Sequence, residues 1–192
     1  MMKISEVVML PFLLRADEFY LLTRFSDRAF LQYITYRMAH HALEYYLKAG
    51  LSIHFTTNDM KKLGHNIDDL WKEYKPLIPD IEIDARIISH INKFETMRYP
   101  DSNKFVRTLW GASYDELFSE VLSKVPDKVK HTIACFYLPD FDKIVYALRN
   151  SFPQGNLLPI IAATKDREIY LFYKNKYFSK KENNKKLTSA SK

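Results

Sequence analysis

Arginine and histidine four residues apart on a helix share one face, and two such pairs occur in this chain: Arg37 with His41, and Arg86 with His90. Histidine titrates near neutrality and arginine offers a fixed fork of donors, so either pair could hold a phosphate and move a proton at it. An ordinary solvated stripe accounts for each pair as well, and is the preferred reading. The other histidines are His40, His54, His65 and His131. His40 and His41 are adjacent, so on a helix they are expected not to face one ligand, and neither an HExxH motif nor a Cys/His set is present. No metal and no cofactor is expected.

The remaining reactive groups say less. Asp68 with Asp69, and Asp140 with Asp142, fall where helices are expected to begin, and negative charge there complements the helix dipole. No serine lies in a Gly-x-Ser-x-Gly elbow. The single Cys135 rules out an intramolecular disulfide, and among Ile133, Ala134 and Phe136 it reads as a buried thiol.

Helices must position these groups. Residues 29–51 are rich in helix formers, with Ala39, Leu43, Tyr46, Leu47 and Gly50 on an apolar face and Arg37, His41, Glu44 and Lys48 on a polar one. Glu44 to Lys48 is the favourable order for an ion pair one turn apart. An upstream helix is expected over about 13–25, with Ser26 and Asp27 ending it and capping the next. Ile67, Leu70, Trp71, Tyr74 and Ile78 mark a further helix, capped by Asn66. Ile83, Ile87, Ile91 and Phe94 face Glu82, Arg86, His90 and Lys93 across another, read as a surface helix. Ser113 with Glu116 forms a capping box ahead of Leu117, Phe118, Val121, Leu122 and Val125, and Asp140 is expected to cap a helix burying Phe141, Ile144, Val145 and Leu148. Residues 157–178 allow a hairpin, although a helix opened by Thr164 is slightly preferred. The class is therefore all-α: an antiparallel up-and-down bundle of four or five main helices with short C-terminal ones. Most of the thirteen tyrosines and thirteen phenylalanines fall on its apolar stripes.

Composition narrows the function. The chain has 192 residues and a net charge of +6. Residues 174–192 hold seven lysines and one acid, so the tail carries all the excess and residues 1–173 balance to zero. Residues 1–178 read as one domain and 179–192 as a disordered lysine-rich tail. Only four glycines are present, which argues against a P-loop, a dinucleotide fingerprint and a hairpin-rich sandwich. Val7 to Leu14 is apolar but short and runs into Arg15 and Asp17, so it reads as a buried segment and not a signal peptide. No stretch approaches a membrane span, and a cytoplasmic protein is expected.

Three strings in order, RMAHHALEYYLKAGL (Arg37 to Leu51), LGHNIDDLW (Leu63 to Trp71) and FETMRYPDS (Phe94 to Ser102), resemble the HEPN (higher eukaryotes and prokaryotes nucleotide-binding) domain family. The positions that carry the likeness are Ala42, Glu44, Leu47, Lys48 and Ala49, then His65, Leu70 and Trp71, then Arg98, Tyr99 and Pro100. The resemblance implies a helical bundle, often dimeric, in toxin systems, phage defence and RNA handling, with a nucleotidyltransferase-like antitoxin as a possible partner. Many members are metal-independent ribonucleases with Arg, four to six residues, then His. Here the only Arg-Asn, Arg149-Asn150, has no histidine after it, and the two Arg/His pairs have three intervening residues. The expectation is a non-catalytic homodimer that binds a nucleotide, RNA or a partner protein through Arg37, His41, Arg86, His90, Arg98, Arg149 and Asn150. A ribonuclease of toxin or phage-defence type and a protein-association scaffold are the alternatives.

Overall fold

The computed structural model describes residues 4–98, 107–110, 113–116, 119, 122–126, 133–152 and 174–178. Helix α1 spans Ile4–Arg28 and α2 spans Gln32–Leu51. Then come α3 (Thr57–Leu63), α4 (Ile67–Tyr74), α5 (Ala85–Asn92), the one-turn α6 (Tyr114–Glu116) and α7 (Leu138–Ser151), with 3-10 turns between several of them. The fold is all-α in its weight, as the apolar spacing predicts. Among the described residues the exception is a short parallel ladder in which β1 (Arg107–Trp110) pairs with β2 (Ile133–Phe136), Arg107 opposite Ile133. No described helix is long and apolar enough to cross a membrane.

Helices α1 and α2 form an antiparallel hairpin. Its contacts run in opposite order along the two helices: Asp17 on Tyr46, Phe19 on His41 and Ser26 on Thr35. Helix α2 is the central element because small residues let its neighbours approach closely. Ala39, Ala42, Leu43, Tyr46, Leu47, Ala49 and Leu51 are all fully buried. At Gly50 the approach is closest: a Cβ there would lie 2.3 Å from Cε2 of Tyr74 on α4. From α7, Phe141, Ile144, Val145 and Leu148 close the core, as their spacing predicts.

Several helix ends match the sequence reading. Asn66 accepts from the amides of Asp68 (3.0 Å) and Asp69 (3.4 Å) to cap α4. Ser113 and Glu116 make the reciprocal capping box, although much of the helix expected after it lies outside the described residues and Leu122–Lys124 is a 3-10 turn. Cys135 is buried.

Other ends differ. Helix α1 does not begin near residue 13 but runs through Pro11, which removes one amide from the ladder without ending the helix. Ser26 and Asp27 do not cap α2, whose N-cap, Leu31, makes no side-chain bond. The Ser26 hydroxyl bonds back to the Leu22 carbonyl at 2.8 Å and accepts from Thr35 at 3.0 Å, tying the corner together. Helix α7 starts at Leu138, before the expected cap Asp140, because Pro139 in its first turn presets the helical φ. The segment for which a hairpin and a helix compete, 157–178, lies outside the described residues except for turns at 174–178. The expected tail, 179–192, lies wholly outside them.

The corner between α1 and α2 carries strain. Leu31 N donates to Ser26 O (2.8 Å) and Phe30 N to Asp27 O (3.1 Å), the bond pair of a Schellman helix end. Phe30 occupies the left-handed position at φ 56°, where glycine is the usual residue.

Candidate functional site

Beside this corner lies a cavity of about 470 Å3, between the end of α1 and the start of α7. The end of α1 lends it Arg24 and Arg28, which stand one turn apart, and Asp27 between them. The corner contributes Phe30, the β2–α7 junction Phe136 and Tyr137, and the last described turn Lys174. Lys174 also has a left-handed backbone, at φ 51°. Thus the two described non-glycine residues with positive φ line one cavity, and such strain concentrates at ligand sites. The α7 N-terminus opens here, adding the positive end of its dipole; Pro139 has no amide to offer, and the Asp140 and Phe141 amides both donate to the Tyr137 carbonyl at 3.1 Å.

Beneath the cavity the charges are buried and paired. Arg24 is hydrogen-bonded to Asp142, and Tyr20 donates to the other oxygen of the same carboxylate at 2.7 Å while accepting from Asn175 at 2.9 Å. Burial pushes the Asp142 carboxyl up, against the pull of Arg24. It also pushes Asp27 up to about 6 and holds the Tyr20 phenol well above its ordinary range. A second network lies deeper: Arg149 donates to both oxygens of Asp17 at 2.6 Å, and Tyr46 donates to Asp17 at 2.6 Å. These groups fix the floor of the hairpin against α7.

A separate polar cluster sits midway along α2. Glu44 is 2% exposed, and its Oε1 accepts from Lys48 (2.6 Å) and from Nδ1 of His65 (2.8 Å), with His41 Nδ1 at 3.6 Å from Oε2. Burial alone would raise the Glu44 carboxyl, but His41, Lys48 and His65 outweigh it and bring it down to about 2. His40 is buried beside this group, and burial lowers its imidazole to about 4. One ligand atom from each of His40, His41 and Glu44 lies within 4.8 Å of the others. Adjacent histidines are expected to diverge on a helix, yet one ligand atom of each comes into range of the other. Glu44, one turn beyond both, closes the gap between their diverging directions.

The residues singled out in the sequence do not assemble into one cleft. The Arg37 guanidinium lies 5.8 Å from the centre of the Tyr33 ring. Arg86 is exposed and grips Asp84 with three hydrogen bonds. His90, expected on a solvated stripe, is buried because α5 packs against both α4 and β2, which also covers Ile87 and Ile88. Arg149 is 1% exposed and committed to Asp17, so it is a buried structural charge and not a surface contact for RNA. Asn150 is exposed, and the Arg98 side chain lies outside the described residues. Of the expected set, His41 joins the Glu44 cluster and Arg149 the buried Asp17 network.

Sequence reasoning passed over Arg24, Arg28, Phe30, His40, Glu44, His65 and Lys174 as site residues. Two signals were available: an arginine pair at i, i+4 on α1, and a glutamate standing four and three residues after paired histidines. Comparison with protein-family models, curated proteins and solved structures found no match to this chain.

Proposed function

We propose that this chain is a HEPN-like helical protein that binds a nucleotide without cleaving RNA, at the cavity beside the α1–α2 corner. The observation that carries the proposal is the joint presence there of Arg28 and Lys174 for phosphate and of Phe30 and Tyr137 for a base, above the buried Arg24–Asp142 pair. A volume of about 470 Å3 lies within the range of small-ligand sites. The ordered strings on α2, across the start of α4 and after α5 support the family likeness, and the His65 bond to Glu44 joins two of them.

Calorimetric titration of the full chain with adenine and guanine nucleotides tests this. One nucleotide binds per chain, and Arg28→Ala with Lys174→Ala weakens binding by about tenfold or more, the worth of a lost charge-assisted hydrogen bond. Absence of binding at millimolar nucleotide refutes the proposal. If RNA binds instead, and removal of 179–192 abolishes that binding, the lysine tail is the contact and the cavity is not.

An association reading is favoured by a different observation. Leu22, Phe25, Leu31 and Ile34 are each more than 40% exposed around the α1–α2 corner, an apolar grouping suited to a second copy of the chain. Sedimentation over a range of concentrations should then give a dimer that Leu22→Glu with Ile34→Glu dissociates. A monomer at all concentrations removes this second reading.

A further inference from the structure

The polar cluster on α2 does more than solvate a helix face. Burying two ionisable side chains, His40 and Glu44, at the heart of the central helix is costly unless something pairs with them. Glu44 has such pairing in Lys48 and His65. His40 is held less well: its side chain is 2% exposed, neither ring nitrogen makes a hydrogen bond among the described residues, and its ion-pair contact with the Glu95 carboxylate is long, at 3.9 Å. An imidazole buried without a hydrogen bond, with nitrogen and carboxylate donors from two neighbours inside 4.8 Å, has the donor set of a metal centre.

We propose that His40, His41 and Glu44 form a divalent-metal site of the zinc class, with His65 and Lys48 holding the carboxylate from outside. Two imidazoles and one carboxylate select zinc-like ions over magnesium or calcium, which take oxygen donors. Bonds of about 2.0–2.2 Å put tetrahedral ligands about 3.4 Å apart, so the imidazoles close in by a rotation of their rings. His41 is 20% exposed and gives the ion a route in, while three protein ligands leave a fourth position for water. His65 donates to the Glu44 oxygen that Lys48 also holds, leaving Oε2 toward His41. This is the outer bond that orients a ligating carboxylate.

The test is titration of the full, metal-stripped chain, prepared without a histidine tag, with Zn2+ against a chromophoric chelator, and with Co2+ read by its visible absorption. One ion binds per chain, Co2+ shows the intense bands of four-coordination, and Zn2+ raises the melting temperature. His41→Ala and Glu44→Gln abolish the site, His65→Ala weakens it by about 10- to 100-fold, and exposed His54→Ala leaves it intact. His41→Ala keeps the buried core residues, so it decides the matter even if Glu44→Gln fails to fold. Wild-type protein that leaves the chelator its Zn2+, or His41→Ala protein with unchanged stoichiometry and Co2+ spectrum, overturns the proposal.

Discussion

Arg149→Met isolates one consequence of the deepest charge pair, and its effect should depend on pH. Burial raises the Asp17 carboxyl to about 6 from an ordinary 3.8, with Arg149 the strongest influence pulling it back down. A folded-state pKa above the unfolded one means that the folded protein holds the extra proton between those values. The contribution of Asp17 to stability is therefore fully present below pH 3.8 and is lost as pH rises through about 6. At 1.36 kcal/mol per unit that loss is about 3 kcal/mol, complete in the wild type once Asp17 has ionised against Arg149. Without the guanidinium the carboxyl titrates higher still, so the variant keeps losing up to about 1.4 kcal/mol per pH unit above about pH 7, where the wild type has levelled off. Urea unfolding at pH 6, 7 and 8 should show a deficit that widens with pH toward the roughly 3–5 kcal/mol of a broken buried pair. Asp27 and Asp142 titrate in both proteins and largely cancel in the difference. Asp17→Asn combined with Arg149→Met, which keeps an acceptor for Tyr46, should remove the pH dependence. A deficit equal at pH 6 and pH 8, or below about 1 kcal/mol throughout, refutes the reasoning.

Three further substitutions test other parts of the structure. Phe30→Gly relieves a left-handed backbone costing about 1–2 kcal/mol at a side chain that is 80% exposed, so it should raise the melting temperature while weakening nucleotide binding. Gly50→Ala improves helix propensity by about 1 kcal/mol, yet its methyl would strike the Tyr74 ring, which Ser151 anchors at 2.8 Å; net destabilisation of about 1–2 kcal/mol by thermal unfolding is expected. Thr56→Ala removes the acceptor of the Asp59 amide at the start of α3 and should cost about 1 kcal/mol by urea unfolding.

What the sequence made legible follows from the range of the interactions. The Asn66 cap, the Ser113–Glu116 box and the Glu44–Lys48 pair each close within four residues, so spacing alone reveals them. The stripe on α7 was legible for the same reason. The α5 stripe was half legible: its period located Ile87 and Ile91, but only the packing of α4 and β2 shows that His90 is covered as well. Pairing of Arg24 with Asp142, and of Arg149 with Asp17, spans more than a hundred residues, and no local pattern distinguishes those arginines from solvated ones. The parallel ladder is similarly non-local, since neither four-residue strand carries a period long enough to separate it from a turn of buried helix.

Phe30 is the residue at which folding and binding pull apart most clearly. A helix ending in a Schellman motif is served best by glycine, and this chain, with four glycines in all, spends none at that corner. Phenylalanine there bears two costs together, the left-handed backbone and a ring left 80% in water, and no aromatic contact within the described residues offsets them. Lys174, across the same cavity, bears the first of these costs with a charged side chain. If the corner served folding alone, replacing Phe30 would be gain without loss. A base stacked on the ring would recover the exposed apolar area and draw its phosphate toward Arg28 and Lys174. Phe30→Gly should therefore separate the two roles in one protein, with a higher melting point without ligand and a smaller nucleotide-induced shift, and a variant that gains stability yet keeps the full shift would remove the ring from the binding site.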